Sequence, residues 1–472
     1  MTPRALTLAV SIAWRHVTGD PARAVLLARR VLDRNPQRLA AATRASVRPP
    51  AAPPADPPPA ARARALAGAR AGARAGHVRR ILHIVTDALP VTSAGYTIRT
   101  HDIARAQRAA GLDPHVVTAR GFPVTQGILD GRRLVMLDGV PYHRLLPWTI
   151  GGDPGLRALV GGLKPDVLHA ASDYKNARIA LELREAYGIP VVYEVRGFWE
   201  DTWVSRQCHG AGGSGMEGSD EATLRAGDLY QRLRAEETAC MRAADLVVTL
   251  GEAMRDEIVS RGIEPDRVAV VPNAVSEDFL RPLSPAAHDG FTVGTVTTLN
   301  PYEGLDTLLD AVRLLTGRGI PARALIVGDG PERERLRRHA EGAGIPATFT
   351  GRVPAAEVRE YHALLDVFVV PRTRDRVCQL VTPLKPVEAM ASGLCVVTSE
   401  VSALAEIVKH EVTGMLTVPQ DPVSLADCLE CLFYSPDIRS ELGAAARDWV
   451  AAGRTWRANA ARYVRAYEHL KG

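Results

Sequence analysis

Short apolar runs alternate with amphipathic, helix-length segments along most of the chain after residue 80. Five such runs precede residue 280, namely ILHIVT (81–86), PHVVTA (114–119), DVLHAA (166–171), PVVYEV (190–195) and DLVVTL (245–250). The alternation restarts at FTVGTV and continues through ARALIVG, ATFTG, VFVVP and CVVTS. Strands buried on both faces read as continuous apolar runs, and parallel strands need helical crossovers. The pattern therefore predicts an α/β fold with two parallel sheets in tandem.

The chain before residue 80 follows neither pattern. Apolar spacing typical of a helical hairpin predicts a helical appendage at 1–46, whereas the Ala, Pro, Arg and Gly content of 47–77 predicts a disordered linker. The repeated strands and helices predict an N-terminal domain at 78–280, a C-terminal domain at 281–454 and a last helix at 455–472. In such sheets, ligands bind beyond the carboxyl ends of the strands.

Composition and charge argue against several classes of protein. The 472 residues carry a formal net charge of +5, which is too mild to indicate a nucleic-acid partner. The longest apolar run near the start, residues 5–14, is too short to span a bilayer. The six cysteines are scattered, as expected for a protein of the reducing cytoplasm.

The stretch LVTPLKPVEAMASG concentrates candidate chemistry at one helix start. Proline suits the first helical turn, so a helix is predicted to begin at Pro386 and to end before Gly393. Lys385 adds positive charge where a helix N-terminus already favours a phosphate group. Glu388, one turn further, could accept hydrogen bonds from the vicinal hydroxyls of a ribose. A capped helix with an acid in its first turn explains the same residues, so both interpretations stay open.

A second candidate for ligand binding is VGDGPERERL, which follows an apolar run and opens an amphipathic segment. Gly328 and Gly330 would let the backbone approach a ligand closely, and Pro331 suits a helix start. A tight turn between a strand and a helix needs small residues at the same places. The structural interpretation of these glycines therefore stays open as well.

These motifs occur in one order together with PNAV (272–275), TGRV and LLDVFVVP. The set resembles the family-4 glycosyltransferases, which are retaining enzymes of the GT-B fold. The stretches LPVTSAGYTIRTHDIARAQRAAG and YEVRGFWED, with the YEG of the loop at 297–304, are similar to a subgroup associated with exosortase-type and surface-polysaccharide loci. The resemblance covers about residues 80–470. It implies two Rossmann-like domains facing a central cleft, with the terminal helix crossing back onto the first domain.

The resemblance implies a reaction and its partners. A glycosyl group would pass from a nucleotide-diphosphate sugar to an acceptor hydroxyl with retention of configuration, without a cofactor and without a metal. Charge on the leaving diphosphate would be met by basic side chains and helix N-termini. The acceptor is expected to be a polysaccharide or a lipid-linked glycan. We expect a cytoplasmic enzyme whose basic N-terminal segment makes peripheral contact with the inner face of the plasma membrane.

The resemblance also implies roles for single residues of this chain. Glu388 would bind the ribose hydroxyls, Lys385 the diphosphate, and Gly95 would approach the diphosphate or the sugar. The full donor-binding set is Gly95, Thr298, Gly328, Gly330, Pro331, Arg372, Lys385 and Glu388. The catalytic set is His169, Gln379 and Glu388, and the acceptor-side set is Arg196, Glu200 and Asp201.

Two loop positions depart from the family pattern in charge. Thr298 and Glu303 stand where most members of the family have an arginine and a lysine aimed at the diphosphate. Positive charge must therefore come from other residues. The candidates are Lys385, Arg372, Arg374 and Arg376.

Other departures concern the reacting sugar. Gln379 or Leu380 stands where the family tends to have a glutamate that faces the transferred sugar. Ala171 replaces the second of two histidines, which leaves His169 alone. His169 could equally be a core residue at a strand end. The polar run EVRGFWED could equally be a solvated loop joined by salt bridges.

These departures keep two other functions open. A non-catalytic scaffold with the same fold is compatible with Gln379, Ala171 and the helical appendage. The other is a sugar-nucleotide epimerase or a phosphorylase on the same fold. An epimerase would need an acid–base pair at the sugar, and the sequence shows no obvious one. Product analysis without an acceptor separates an epimerase from a transferase.

Overall fold

The computed structural model describes residues 78–145, 154–209, 221–284 and 289–471. The appendage predicted at 1–46 and the linker predicted at 47–77 lie outside the described residues. No helix in the described ranges is long and apolar enough to cross a bilayer.

The described chain forms two compact units. The first takes in the residues up to Glu194, Cys240–Val247 and the C-terminal residues from Ala460. The second contains Val195–Ala239 and Val248–Asn459. This division by contacts does not test the domain limits predicted above, which stay predictions.

Within the described residues, the first sheet has eight strands. They are β1 (Arg80–Val85), β2 (Asp113–Thr118), β3 (Leu134–Leu137), β4 (Val140–His143), β5 (Val167–Ala171), β6 (Val191–Val195), β7 (Leu246–Thr249) and β8 (Val268–Val270). Their order is β3-β4-β2-β1-β5-β6-β7-β8. Strands β2, β1, β5 and β6 run parallel, whereas β3 and β4 pair in an antiparallel hairpin. The chain moves to opposite sides of β1, so the strand order reverses between β1 and β5.

The second sheet has six described strands. They are β9 (Phe291–Val296), β10 (Ala322–Val327), β11 (Ala347–Gly351), β12 (Val367–Val370), β13 (Cys395–Ser399) and β14 (Met415–Thr417). The order is β11-β10-β9-β12-β13-β14, and the assigned pairs are all parallel. The strand order reverses between β9 and β12. A ligand-binding crevice is expected at such a switch point, beyond the carboxyl ends of those two strands.

Helices connect most of the strands. They are α1 (Gly95–Ala109), α2 (Pro154–Leu163), α3 (Tyr174–Tyr187), α4 (Trp199–Cys208), α5 (Glu221–Ala226), α6 (Asp228–Ala243), α7 (Glu252–Ser260), α8 (Leu305–Gly317), α9 (Arg333–Gly342), α10 (Val358–His362), α11 (Arg376–Leu380), α12 (Lys385–Ala391), α13 (Ser402–Ala405), α14 (Pro422–Tyr434), α15 (Pro436–Gly453) and α16 (Trp456–Glu468). Local sequence explains several of their ends. The Asp421 carboxylate accepts hydrogen bonds from the backbone N–H groups of Val423 and Ser424, and Pro422 opens α14.

The core of the second unit shows why these segments become helices and strands. Leu305, Leu308, Val312 and Leu315 recur at helical spacing and bury one face of α8. They belong to one apolar cluster with side chains of the central strands, including Phe291. Full burial of such a side chain contributes about 1.5–3 kcal/mol, so this cluster is a main source of stability.

The prediction of two parallel-sheet α/β units is confirmed, and most strand ends fall within two residues of those predicted. Between β11 and β12 the chain forms a 3₁₀ turn, Ala355–Glu357, followed by the short α10. The β3–β4 hairpin was not predicted. Its Asp138-Gly139 turn has positive φ at both residues, and Asp-Gly between apolar residues is a known hairpin signal.

Candidate active site

The carboxyl edge of the second sheet brings together the loops that follow β9, β10 and β12. The backbone N–H of Thr373 donates to the carbonyl of Tyr302 at 3.1 Å, which joins the loop after β12 to the loop after β9. The backbone N–H of Leu299 donates to the carbonyl of Asp329 at 3.1 Å, which joins the loops after β9 and β10. These loops flank the switch point, so the candidate site of the second unit lies here.

Gly328 and Gly330 hold two of these loops at close range. A Cβ atom on Gly328 would lie 1.8 Å from the Thr297 carbonyl oxygen, and one on Gly330 would lie 2.5 Å from that of Leu299. The close approach is therefore made by a neighbouring backbone, as the structural interpretation requires. Contact of these glycines and of the exposed Pro331 with a nucleotide stays a prediction.

Lys385 and Glu388 form a hydrogen-bonded ion pair in the first turn of α12. The Lys385 ammonium donates to Glu388 Oε2 at 3.1 Å. The Glu388 side chain is 9% exposed and that of Lys385 is 31% exposed, so the lysine head reaches solvent while the carboxylate lies deeper. The helix begins at Lys385, one residue earlier than predicted, with Pro386 in the first turn. Each group can exchange its partner for a ligand.

Arg372 is already engaged by the loop after β9. Its Nη2 and Nε donate to the two carboxylate oxygens of Glu303 at 3.0 and 3.3 Å, and its Nη1 donates to the Val381 carbonyl at 3.0 Å. Both side chains are about nine-tenths buried. Glu303 thus neutralises Arg372, which was expected above to compensate for the negative charge of Glu303. The diphosphate role of Arg372 stays a prediction that would require this pair to open.

The other cation candidates differ from one another. The Arg376 guanidinium forms ion pairs with Glu257 and, at 3.6 Å, with Asp201. Arg374 is exposed, and among the described residues it takes part in no ion pair. Thr298 is exposed on the loop after β9. Arg374 is therefore the candidate whose charge is available without breaking a contact.

Gln379 caps a helix in the second unit. Its Oε1 accepts hydrogen bonds from the backbone N–H and from the hydroxyl of Ser402, at 3.0 and 3.1 Å. Ser402 is the first residue of α13. A structural task thus explains Gln379 without a substrate, and its catalytic role stays a prediction.

Two acceptor-side candidates lie in a buried network instead of a solvated loop. Glu200 and Asp201 occupy the first turn of α4 and are 0% and 3% exposed. Arg261 Nη1 donates to Glu200 at 2.7 Å, and the Tyr230 hydroxyl donates to Asp201 at 3.1 Å. Burial raises the pKa of both carboxyls, and the neighbouring arginines offset part of that effect.

The acceptor-side role of Glu200 and Asp201 stays a prediction that would require this network to open. Residues 200 and 201 are enclosed by protein and have almost no area with which to touch an acceptor. Arg196, between β6 and α4, is only half-buried, so its acceptor-side role stays a prediction.

His169 lies in the interior of the first unit. Its Nδ1 is 2.6 Å from the Tyr467 hydroxyl, and its Nε2 is 2.7 Å from Glu194 Oε2. Glu194 also pairs with Arg99 at 2.8 Å and accepts from the Tyr463 hydroxyl at 3.1 Å. The role of His169 at the reacting sugar stays a prediction that would require these bonds to open, because both ring nitrogens bond to protein and the ring has no exposed area.

The bonds continue beyond His169. Gln107 Nε2 donates to the Tyr467 hydroxyl at 2.9 Å, and Gln107 Oε1 lies 2.7 Å from His83 Nε2. We call the whole set the interior network: His83, Arg99, Gln107, His169, Glu194, Tyr463 and Tyr467. It connects β1, α1, β5 and β6 with the C-terminal helix α16. By contrast, a Cβ atom added to Gly95 at the start of α1 would meet nothing within 4 Å, so no protein contact requires a glycine there.

Comparison with known proteins identifies the family. Residues 94–274 match the family model described as Glycosyl transferase 4-like domain, and residues 290–434 match the one described as Glycosyl transferases group 1. Together the two matches cover more than half of the chain. The chain belongs to the family-4 glycosyltransferases. The subgroup and the metal-free reaction stay predictions.

This chain is similar to proteins named as mannosyltransferases. A GDP-mannose-dependent alpha-mannosyltransferase of Mycobacterium tuberculosis is 29% identical over 84% of this chain and 90% of its own length. A GDP-mannose-dependent alpha-(1-6)-phosphatidylinositol monomannoside mannosyltransferase of the same species is 32% identical over 45% of this chain. That match spans 58% of the relative's length.

Solved structures share the fold. A sucrose-phosphate synthase from Thermosynechococcus elongatus superposes with a TM-score of 0.65 at 19% identity, over 83% of this chain and 99% of its own. The Anabaena protein Alr3699/HepE, in complex with UDP, superposes with a TM-score of 0.61 at 18% identity, over 83% and 100% of the two chains. At these identities the likeness establishes the fold alone.

Proposed function

We propose that this protein is a retaining glycosyltransferase that moves a sugar from a nucleotide-diphosphate sugar to a hydroxyl of a polysaccharide or lipid-linked glycan. The donor binds at the carboxyl edge of the second sheet, where the loops after β9, β10 and β12 meet beside α12. The reaction needs no metal, since basic side chains stabilise the leaving diphosphate. The bond between the anomeric carbon and the phosphate oxygen breaks. The acceptor oxygen forms its bond to the anomeric carbon on the face from which the phosphate leaves.

The Lys385–Glu388 pair carries this proposal. Its carboxylate is mostly buried and its ammonium is partly exposed, so one end is set for neutral hydroxyl donors and the other for an anion. A nucleotide sugar presents both groups, because ribose hydroxyls donate hydrogen bonds and the diphosphate is negative. In this assignment Glu388 accepts from the ribose hydroxyls and Lys385 turns to the diphosphate.

The identity of the donor and the location of the protein are inferred from its relatives. Relatives named as GDP-mannose-dependent mannosyltransferases make GDP-mannose the first donor to test. The resemblance to surface-polysaccharide enzymes supports a cytoplasmic protein that meets its acceptor at the inner face of the membrane. Co-sedimentation with anionic vesicles tests that contact, and a protein that stays unbound and glycosylates only small free sugars would contradict it.

A donor panel tests the function. Binding and hydrolysis of GDP-, UDP-, ADP- and dTDP-sugars are measured for the wild type, with and without a chelator. One preferred nucleotide is expected, with no effect of the chelator. The Glu388→Gln variant should lose at least about tenfold in donor affinity, since it loses a charged hydrogen-bond acceptor. Glu341→Gln, which alters an exposed pair with Arg337 on α9, is the matched control and should bind normally.

The products decide between the alternatives. Transfer with the anomeric configuration of the donor, read by NMR, supports a retaining enzyme. An epimerised nucleotide sugar without transfer indicates an epimerase. Absence of binding and of turnover with every nucleotide sugar favours the scaffold interpretation.

A further inference from the structure

The C-terminal end of α4 contacts the loop after β12, within the second unit. The Ser205 hydroxyl donates to Asp375 Oδ2 at 2.6 Å, and His209 Nε2 lies 3.1 Å from the same oxygen. The Thr373 hydroxyl donates to Asp375 Oδ1 at 2.9 Å. Three donors therefore fix one carboxylate, and that carboxylate fixes the orientation of the imidazole.

One nitrogen of His209 is left for another partner. Nε2 is used by Asp375, and within the described ranges Nδ1 takes part in no hydrogen bond. The His209 side chain is 33% exposed, whereas Asp375 is 20% exposed. The ring thus carries a partly exposed N–H donor or acceptor with a carboxylate behind it. Its place is beside Thr373, whose backbone is bonded to the loop after β9.

The charged surroundings favour the imidazolium. The hydrogen bond to Asp375 raises the pKa of His209 above its usual value, and burial opposes this rise. Charged groups on other elements also face the ring: Glu332, just before α9, raises its pKa, and Arg335 on α9 lowers it. Protonation puts a hydrogen on both ring nitrogens, so Nδ1 then becomes a charged hydrogen-bond donor.

Apart from the exposed Arg374, the neighbouring cations are less available. Lys385 is paired with Glu388, Arg372 with Glu303, and Arg376 with Glu257. The diphosphate is the only strongly acidic part of a nucleotide sugar, and charge-assisted N–H bonds to phosphate oxygens are about twice as strong as neutral ones. An oriented imidazolium at this edge therefore matches the diphosphate better than the sugar.

We propose that His209, held by Asp375, donates a hydrogen bond from Nδ1 to the diphosphate of the sugar donor. This inference rests on the proposed function. His209 keeps its proton throughout: it stabilises the negative charge that collects on the departing diphosphate, while the acceptor hydroxyl proton leaves to that phosphate. Asp375 is a positioning residue: it is held by Ser205 and Thr373, orients the imidazole, and does not itself contact the diphosphate.

Affinity for the intact nucleotide sugar at two pH values tests this inference. The dissociation constant is measured by calorimetry without an acceptor, at about pH 6 and about pH 8, because an ordinary histidine titrates between them. Binding by the wild type should weaken as pH rises through the pKa of His209. His209→Gln should lose about tenfold in affinity at the lower pH and should show no pH dependence. Asp375→Asn should shift the midpoint to lower pH.

Two controls make the outcome specific. His339→Gln is the matched variant, since His339 is 35% exposed and lies 3.2 Å from Asp310 in the same unit; it should bind like the wild type. Affinity for the uncharged nucleoside should be equal in the wild type and in His209→Gln. Thermal unfolding of each variant checks that it is folded.

The possible failures are distinguishable. If the wild type transfers sugar but His209→Gln binds like His339→Gln at both pH values, the role of His209 is wrong and the function stands. If His209→Gln loses as much affinity for the nucleoside as for the nucleotide sugar, His209 does not act on the diphosphate. If the wild type binds no nucleotide sugar, both proposals are overturned.

Discussion

Two clusters of polar side chains, one in each unit, differ in how far their groups reach solvent. In the first unit, the interior network is 0–2% exposed and links its groups in a continuous chain of hydrogen bonds. The second unit contains a set that we call the edge cluster: Glu303, Arg372, His209, Asp375, Lys385 and Glu388. Its pairs lie near the ends of parallel strands, and two of its basic side chains, Lys385 and His209, are about one third exposed. The first arrangement suits stability and the second suits an exchange of partners.

This difference teaches how to assign buried polar residues. A histidine with both nitrogens bonded inside the protein, such as His169, is held by its fold. A histidine with one fixed nitrogen and partial exposure, such as His209, can meet a ligand. Burial alone does not separate the two cases, because Glu388 is also buried. The exposure of the group to which each side chain bonds separates the two cases. The partners of His169 are buried, whereas Lys385, the partner of Glu388, is 31% exposed.

Removal of the central charge of the interior network should have the largest effect. Glu194→Gln leaves the 2% exposed guanidinium of Arg99 without its carboxylate, and loss of one partner of a buried pair costs about 3–5 kcal/mol. Urea unfolding of the first unit measures this loss. Glu388→Gln is the matched change in the edge cluster and should cost about 1 kcal/mol or less, because Lys385 can reach water. Equal losses of unfolding free energy in the two variants would contradict the difference between the interior network and the edge cluster.

Glycine substitutions test the edge at the level of the backbone. A Cβ on Gly330 would lie 2.5 Å from the Leu299 carbonyl oxygen and 2.7 Å from its nitrogen. Gly330→Ala should therefore cost about 1–3 kcal/mol, as overpacking usually does. Gly95→Ala has open space and should be neutral or stabilising by up to about 1 kcal/mol. Thermal unfolding compares them.

Gly95→Ala has a second readout. If a ligand approaches Gly95 as predicted, the variant will keep its stability and lose donor affinity. Unchanged affinity together with unchanged stability would remove Gly95 from the site.

A single hydroxyl probes how strongly the network holds α16. Tyr467→Phe removes the oxygen that lies 2.6 Å from His169 Nδ1 and 2.9 Å from Gln107 Nε2. Loss of these bonds should lower the free energy of unfolding by about 1–2 kcal/mol. Tyr434→Phe, at a 68% exposed position, is the control and should change nothing measurable. An equal, negligible effect of both changes would mean that water replaces the Tyr467 hydroxyl.

The sequence predicted what depends on local pattern. Fully buried parallel strands such as β9 and β13 are continuous apolar runs, so their limits were predicted without error. Lys385 and Glu388 were identified because they are three positions apart and a proline lies between them. Such a pair can be recognised from the sequence because its two residues lie close together along the chain.

Other contacts depend on tertiary packing. Glu303 and Arg372 are 69 residues apart, His209 and Asp375 are 166 apart, and His169 and Tyr467 are 298 apart. No local spacing signals such pairs, so Arg372 was predicted to be a free cation and His209 was missed. The parallel sheet brings them together only when the strand ends line up.

The smallest effect is expected from substitution of Gln379, which tests whether this position of the second unit tolerates a negative charge. Gln379 Oε1 accepts both hydrogen bonds from Ser402, and a carboxylate oxygen accepts them equally well. Gln379→Glu should therefore change the free energy of unfolding by no more than about 0.5 kcal/mol. Gln379→Leu removes the cap and should cost about 1 kcal/mol. Chemical unfolding measures both. If Gln379→Glu proved as damaging as Glu194→Gln, position 379 would behave like the interior network; if it is tolerated and alters turnover, the carboxamide faces the reacting sugar.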